Sequence, residues 1–222
     1  MAEKVLDIYN GQGKVSTAQW GKIKKQGITK VILRCGYTHW RKDFKMSEDE
    51  SFAHNIKTAH KAGMDIGVYY YSQATTKAEA LSEAKFTISL IKDYRKYITL
   101  PVAFDCEFGD STARFRPSVA KKIGKVGMLD ICKAFCGEIQ ANGFDTMVYA
   151  NLNMLNNYIS AKLSEKFKIW VAQYNSTCDY KKPYYMWQYT SSARLKGILK
   201  GNLDMSYFHG EKPAKQPNKK KG

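Results

Sequence analysis

The feature that most restricts the fold of this chain is a regular alternation of strand-like and helix-like segments. Short β-branched or aromatic stretches such as KVILRCGY (30–37) and IGVYYYS (66–72) alternate with helix-like segments, two of which open at the capping residues Ser16 and Thr76. Five strand–helix units are followed by three strands that have no long helices between them. This order predicts an α/β protein with parallel strands, and eight strands favour closure into a single-domain barrel.

The same pattern assigns most of the chain to defined elements. The predicted strands cover residues 4–9, 30–37, 66–72, 100–108, 146–150, 168–174, 184–189 and 203–208. The predicted helices begin near residues 16, 52, 76, 118 and 152, and the longest is capped by Ser118 and runs to Gly143. After residue 208 the sequence becomes rich in proline and lysine and has little to bury. We therefore predict a barrel over residues 1–209 and a basic linker or tail over residues 210–222.

The charge of the chain predicts a polyanionic partner. The net charge is +16, from 36 Lys and Arg residues against 20 Asp and Glu residues. Residues 211–222 carry five lysines and one glutamate, which leaves +12 on the rest of the chain. Nucleic acids and the teichoic acids and peptide carboxylates of bacterial cell walls are all polyanions, and charge alone does not choose between them. The sequence contains no nucleic-acid-binding motif, so nucleic acid is not a predicted partner.

Cysteine and histidine are not arranged as metal ligands in this sequence. The five cysteines form no CxxC pair and the four histidines form no HExxH motif, so we expect buried reduced thiols, no metal site and no cofactor. The N-terminal sequence MAEKVLDIYNGQG lacks the apolar run of a signal peptide, and no apolar stretch reaches the length of a membrane span. We therefore expect synthesis in the cytoplasm and no insertion into a membrane.

Four acidic residues lie in or beside apolar strands, namely Asp7, Asp105, Glu107 and Asp204. Asp105 and Glu107 are two residues apart on a predicted strand, so both side chains should point to the same face. Two neighbouring carboxyl groups cannot both ionise cheaply, and cleavage of a glycosidic bond requires a protonated acid beside an ionised partner. An ion pair with basic residues at the strand end is the alternative explanation, because a three-residue pattern is weak evidence by itself.

Barrel enzymes build their active sites at the C-terminal ends of the strands, and this rule supplies further candidates. Asp204 fits the rule less well, because it lies at the start of its predicted strand. Trp170 and Trp187 are expected in the core rather than in a cleft, and part of the tyrosine run 69–71 must also pack inward. The candidates for substrate contact are five residues at strand ends and one tryptophan in a loop: Tyr71, Tyr149, Asn151, Gln173, Gln188 and Trp40.

An ordered series of sequence blocks resembles glycoside hydrolase family 25, the Chalaropsis-type lysozymes that are common in phage endolysins. The blocks are VLDIYNGQG, KVILRCGY, GVYYYSQ, PVAFDCEF, MVYANLNML, IWVAQY, MWQYTSS and GNLDMSYF. They extend from Val5 to Phe208, which is nearly the whole chain. The segment Tyr9-Asn10-Gly11 departs from the family, which usually has a serine followed by variable residues, but the acid and the following Gln-Gly pair are kept.

The resemblance implies an irregular TIM-like (β/α)5(β)3 barrel and hydrolysis of the β-1,4 bond between N-acetylmuramic acid and N-acetylglucosamine, without a cofactor. By position, Glu107 resembles the general acid and base, and Asp105 resembles the residue that orients and polarises the 2-acetamido group of the substrate. Asp7 and Asp204 resemble two further acids that complete the cleft. The expected partners are bacterial peptidoglycan and, through charge, anionic wall polymers. A chain of this kind, made without a signal peptide, would act on the wall after release from the host cell.

Two alternatives remain open from the sequence. A non-catalytic barrel that binds cell wall or nucleic acid would not need all four acids, which are intact here. A chitinase-like hydrolase would show a longer DxxDxDxE pattern, whereas this chain has only FDCEF (104–108).

Overall fold

A closed ring of eight strands forms the centre of the molecule, and a ninth strand lies outside it. The computed structural model describes residues 3–41 and 43–210. The strands are, in chain order, β1 (Glu3–Ile8), β2 (Ile28–Thr38), β3 (Met46–Glu48), β4 (Asp65–Tyr71), β5 (Ile98–Asp105), β6 (Thr146–Asn151), β7 (Lys168–Ala172), β8 (Met186–Ala193) and β9 (Leu203–Phe208). The α-helices are α1 (Thr17–Lys25), α2 (Phe52–Lys61), α3 (Lys77–Ile91), α4 (Pro117–Ala141) and α5 (Leu152–Asn157).

The strand order confirms the predicted (β/α)5(β)3 barrel. Strands β1, β2, β4, β5, β6, β7 and β8 are parallel neighbours in that order, and β9 closes the ring by pairing antiparallel with both β8 and β1. The short strand β3 pairs antiparallel with β2 outside the ring. Its polar sequence MSE has no apolar pattern, which explains why eight strands are predicted and nine are found.

Local capping chemistry explains where two of the helices begin. Ser16 accepts a hydrogen bond from the Gln19 amide at 3.2 Å, and the Gln19 side chain accepts one from the Ser16 amide at 2.9 Å, so the predicted capping box is present. Thr76 caps α3 through the Glu79 amide at 3.2 Å. The Glu79 carboxylate instead accepts from the backbone and hydroxyl of Thr75, so this second box is incomplete.

The predicted N-cap of α4, Ser118, is wrong by two residues. The N-cap is Arg116, and Pro117 is the first helical residue, because proline lacks an N–H and its fixed φ suits this position. The helix is also interrupted at Gly124, which has a φ of +75° that side-chain-bearing residues rarely adopt. A continuous apolar pattern on both sides of this glycine hides the break in the sequence.

Alternation along the strands produces two apolar layers. Val31 and Leu33 of β2 pack in the layer between barrel and helices, whereas Ile32 joins the smaller cluster inside the barrel. The interior cluster also holds the aromatic residues Tyr149 and Trp170, and the Trp170 indole donates to the buried Ser206 hydroxyl at 3.0 Å. All five cysteines are buried and free.

Two further predictions concern membrane insertion and the end of the barrel domain. Among the described residues, no helix is both long and apolar enough to span a bilayer. The predicted tail over residues 210–222 lies outside the described residues except for Gly210, so the domain boundary stays a prediction.

Candidate active site

A recess at the C-terminal end of the parallel strands brings the four predicted acids together. The recess has a volume of about 60 Å³ and is lined by Asp7, Tyr69, Asp105, Glu107, Tyr149, Trp170, Gln188 and Asp204. Although the chain has an excess of basic residues, the lining of the recess contains four carboxyl groups and no lysine or arginine.

The antiparallel pairing of β9 explains how Asp204 reaches this site. Asp204 and Asp7 are direct partners in the β1–β9 ladder. Because β9 runs against β1, the start of β9 lies at the same end of the barrel as the end of β1. The position of Asp204 at the beginning of its strand is therefore consistent with the rule for barrel active sites.

Asp105 lies in a strand and Glu107 lies in a loop, but both side chains line the recess. Asp105 is the last residue of β5, but Glu107 lies two residues beyond the strand, in the segment that leads to α4. The predicted strand over residues 100–108 is therefore too long. Both side chains nevertheless line the recess, as expected from their spacing. Cys106, between them, is buried in the layer next to the helices.

Gln188 connects several groups of the recess. Its amide nitrogen donates to the two carboxylate oxygens of Asp7 at 3.3 and 3.2 Å. Its amide oxygen accepts from the hydroxyl of Tyr149 at 2.9 Å and from that of Tyr174 at 3.2 Å. Trp170 packs edge-on against Tyr149, with ring centroids 4.7 Å apart. These contacts fix one wall of the recess without a charged partner for the acids.

Burial raises the pKa values of all four acids, and repulsion between the acids adds to the shift in Asp7, Asp105 and Glu107. Burial, and then repulsion from Asp204, raise the pKa of Glu107 to about 7, and burial raises the pKa of Asp204 to about 6. Burial and repulsion from Asp204 also hold the pKa of Asp7 well above its usual range, against the opposing hydrogen bond from Gln188. The four carboxyl groups therefore titrate as one set and hold fewer than four negative charges at neutral pH.

Asp105 has a buried carboxyl oxygen that no donor in the described part of the chain contacts. Burial, followed by repulsion from Glu107 and Asp7, raises its pKa well above the usual range, and the nearby charge of Arg34 opposes this shift. Its Oδ1 atom is buried and accepts no hydrogen bond from any described residue. A buried acceptor without a donor is costly, and it is available for a donor supplied by a ligand.

The predicted residues for substrate contact fall into three groups. Tyr149 and Gln188 line the recess. Tyr71 does not line the recess but is the strand partner of Asp105, and Trp40 packs on Tyr71 with ring centroids 6.4 Å apart and is 51% exposed. The other two side chains serve local structure, because Asn151 caps α5 and Gln173 pairs with Asp179. Contact of these six residues with a substrate stays a prediction.

Sequence reasoning did not select Tyr69 and favoured the core over the cleft for Trp170. Trp170 is indeed buried, but it also forms part of the wall of the recess. Tyr69 and Tyr71 are two residues apart on β4, so their side chains point to the same face of the strand. Because Tyr71 is predicted to face the substrate, the same reasoning could have added Tyr69. Among the described residues, no group of three or more His, Cys, Asp or Glu side chains is arranged to hold a metal ion.

Comparison with known proteins identifies the family. Residues 6–198 match the model of glycosyl hydrolases family 25, and comparison with curated sequences gave no match. The modular autolysin LytC from Streptococcus pneumoniae, solved with a synthetic peptidoglycan ligand, is 28% identical with a TM-score of 0.79. The alignment covers 94% of this chain and 47% of LytC, so this chain spans about half the length of that autolysin.

Two more distant structures share the fold. The catalytic domain of endolysin ply40, from bacteriophage P40 of Listeria monocytogenes, is 24% identical with a TM-score of 0.67, over 94% of this chain and 93% of that one. A muramidase from Trichobolus zukalii is 19% identical with a TM-score of 0.72, over 94% of both chains. The family match over most of the sequence, together with the closed barrel, confirms the resemblance inferred from the sequence blocks. The chain belongs to glycosyl hydrolases family 25.

Proposed function

We propose that this chain is a lysozyme that hydrolyses the β-1,4 bond between N-acetylmuramic acid and N-acetylglucosamine in peptidoglycan. The observation that carries the proposal is the recess with four carboxyl groups and raised pKa values at the catalytic end of a family 25 barrel. The likeness to LytC, a structure determined with a peptidoglycan ligand, supports the choice of substrate.

Glu107 has the properties required of the general acid. With a pKa of about 7, it keeps its proton over the acidic and near-neutral range, and it lies on a segment beyond the strand rather than within it. Protonation of the leaving oxygen by Glu107 would let the glycosidic bond break without release of an alkoxide. The carboxylate that results can then take a proton from the attacking water.

Asp105 is proposed to act through the acetamido group of the substrate rather than as a nucleophile. Its buried Oδ1 atom has no donor among the described residues, and the acetamido N–H of a bound sugar would supply one. A hydrogen bond from this N–H to Asp105 would make the acetamido oxygen more nucleophilic. That oxygen would form a bond to the anomeric carbon as the leaving oxygen departs, and water would then open the cyclic intermediate, so the configuration is retained.

The remaining groups of the recess would stabilise this chemistry. Asp7 and Asp204 add negative potential around the positive charge that develops on the sugar ring in the transition state. The exposed ring of Trp40 beside Tyr71 forms an apolar edge where a neighbouring sugar could stack. We also propose that anionic wall polymers attract the basic surface of the protein. Synthesis without a signal peptide and action after release from the host cell stay predictions.

Parallel digestion of purified peptidoglycan and chitin tests the proposed activity. The expected result is release of new reducing ends from peptidoglycan, with muramic acid at those ends, and little release from chitin. Comparable release from chitin would favour the chitinase-like alternative. Tight binding to walls with no new reducing ends from either polymer would favour a non-catalytic barrel and reject the proposal.

The stereochemical part needs a separate measurement. NMR of the first product from a defined glycan without stem peptides should detect the β anomer before it equilibrates with the α anomer. Appearance of the α anomer first would rule out retention. Walls with N-deacetylated sugars should also be cut poorly, because they lack the group on which Asp105 is proposed to act.

A further inference from the structure

A buried carboxyl group that does not line the recess lies behind β4. Glu83 of α3 is fully buried. It accepts hydrogen bonds from the Thr38 hydroxyl at 2.7 Å, from the Ser72 hydroxyl at 2.5 Å and from the Gln73 amide at 3.0 Å. The Thr38 hydroxyl has one hydrogen, which it uses on Glu83, so the Tyr70 hydroxyl donates to Thr38 at 2.9 Å. Glu83 therefore fixes the backbone immediately after β4.

The backbone amide of Gln73 is bound by Glu83, and the side-chain amide of Gln73 forms hydrogen bonds through both its nitrogen and its oxygen. This side chain is fully buried. Its nitrogen donates to the Tyr71 hydroxyl at 3.1 Å and to the Ser72 carbonyl at 3.0 Å, and its oxygen accepts from the Phe115 amide at 3.1 Å. The Gln73 side chain thus connects Tyr71, beside the recess, to the segment between β5 and α4.

The segment between β5 and α4, residues 106–116, carries Glu107. Within it, the Gly109 amide donates to the Phe115 carbonyl at 3.1 Å, so Phe115 connects Gln73 to a point two residues beyond Glu107. A Cβ atom built on Gly109 would lie 3.7 Å from the Gln73 oxygen, which places the two groups side by side. Arg114 adds a second connection, because its amide donates to the Trp40 carbonyl at 2.8 Å and its side chain pairs with Glu79.

We propose that Gln73, held by the buried carboxyl group of Glu83, is a positioning residue that sets segment 106–116 and the Tyr71 hydroxyl in place and thereby fixes Glu107 over the recess. The proposal rests on the assignment of Glu107 as the general acid. Neither Gln73 nor Glu83 lines the recess, so both act through other residues. Packing alone would be served by an apolar side chain, whereas a buried amide with both ends bonded specifies one geometry.

A pair of matched variants separates positioning from general stability. Gln73→Met keeps the approximate volume but removes the bonds to Tyr71 and Phe115. Thr87→Val is the control, because the buried Thr87 hydroxyl donates only to the Glu83 carbonyl within α3, at 2.8 Å. Both variants lose buried hydrogen bonds on the same side of the barrel, but only the first is connected to segment 106–116.

Three readouts are expected to differ between the two variants. Hydrogen exchange of peptides from residues 106–116 should be faster in Gln73→Met than in Thr87→Val. The kcat on a soluble glycan should fall by about 10²-fold in Gln73→Met, as expected for a general acid displaced by about 1 Å, and change little in Thr87→Val. The basic limb of the pH profile should shift only in Gln73→Met, because displacement changes the surroundings of Glu107 and lower stability does not.

Glu83→Gln keeps an acceptor for the Gln73 amide, so it should retain more activity than Glu83→Leu.

Equal exchange of segment 106–116 in Gln73→Met and Thr87→Val would overturn the proposal, and so would equal kcat values in the two variants. Hydrogen exchange does not depend on catalysis, so it distinguishes this inference from the proposed function. If the wild-type protein released no reducing ends while Gln73→Met still loosened segment 106–116, the lysozyme assignment would fail and the connection from Gln73 to that segment would stand.

Discussion

Two carboxyl groups of this protein, the fully buried Glu83 and the half-buried Glu107, share a raised pKa of about 7 but lie in opposite surroundings. Glu83 is enclosed by three hydrogen-bond donors, from Thr38, Ser72 and Gln73. Glu107 faces a recess shared with three other acids, and repulsion from Asp204 adds to the effect of burial on its pKa. Burial is the largest cause of the raised pKa in both residues, so the pKa alone does not tell a structural acid from a reactive one.

The difference lies in what each carboxyl group is bonded to. The donors around Glu83 are supplied by the protein, so a substrate has nothing to add there and the residue can only hold structure. In the recess, Asp105 has a buried oxygen without a donor among the described residues, and the neighbours are other acids. Such a site is unfavourable for folding and becomes favourable only when a ligand supplies donors or positive charge.

The largest expected effect is on catalysis when Glu107 is changed to Gln. The amide cannot donate the required proton, so wall lysis should fall by at least about 10²-fold. The control Asp93→Asn alters an exposed acid outside the recess and should keep full activity. Release of reducing ends from peptidoglycan measures the loss. A near-normal rate in a folded Glu107 variant would remove the residue from the mechanism.

The same variant should be more stable than the wild type at neutral and alkaline pH. The pKa of Glu107 is about 7 in the folded protein and about 4.5 when unperturbed, so ionisation is less favourable in the folded state. Its contribution to stability is present below about pH 4.5 and is lost as the pH rises through about 7. Melting curves of wild type and Glu107→Gln should therefore coincide near pH 4 and separate by pH 8, with the variant melting higher. A lower melting temperature at pH 8 would contradict this reasoning.

Glu83→Leu should show the reverse behaviour for stability. Leucine leaves the donors of Thr38, Ser72 and Gln73 without their acceptor, and buried unsatisfied donors cost about 1–3 kcal/mol each. Because the two hydroxyl groups can rotate toward other acceptors, we expect a total loss on the order of 3 kcal/mol. Chemical denaturation at fixed pH measures it. If Glu83→Leu were as stable as the wild type, the distinction between the two carboxyl groups would be lost.

Asp204→Asn should produce a smaller change, in the pH dependence of the reaction. Repulsion from Asp204 helps to hold the pKa of Glu107 up, so removal of this charge should lower that pKa. The basic limb of the kcat profile, which reports the loss of the Glu107 proton, should move to lower pH. The exposed acid Asp93 again provides the control. A shift of the basic limb to higher pH would show that Asp204 does not act on Glu107 through charge.

Much of this architecture could be predicted because strand parity and strand order are properties of the sequence. The alternation of segments predicted the barrel, and the spacing of Asp105 and Glu107 placed both in one recess. The ladder that pairs Asp7 with Asp204 could not be derived, because a long-range antiparallel register leaves no local signal. The sequence also predicted nothing about Glu83, because a single acid on a helix is usually exposed to solvent. Its three hydrogen-bond donors come from other segments of the chain, which the local sequence does not reveal.

The positive charge of the protein is the counterpart of its acidic recess, and we expect it to affect attraction to the wall rather than the chemical step. The recess is negative, yet the chain carries +16 overall and +12 without residues 211–222, so basic residues dominate the rest of the molecule. Electrostatic screening lengths shrink from about 30 Å at 0.01 M salt to about 8 Å at 0.15 M. Lysis of whole cells should therefore fall steeply with added salt, while turnover of a short neutral glycan should change little.

The segment after His209 allows a test of this idea with little disturbance of the barrel, because β9 ends at Phe208. Removal of residues 210–222 takes away a net charge of +4 and should weaken wall binding modestly, without a change in small-substrate rate or melting temperature. A full-length variant with the five tail lysines replaced by glutamine separates charge from length and should behave like the truncated chain. Equal salt sensitivity on cells and on the neutral glycan would mean that screening acts in the recess itself. Attraction of the basic surface to wall polymers would then have to be abandoned as the explanation for the charge.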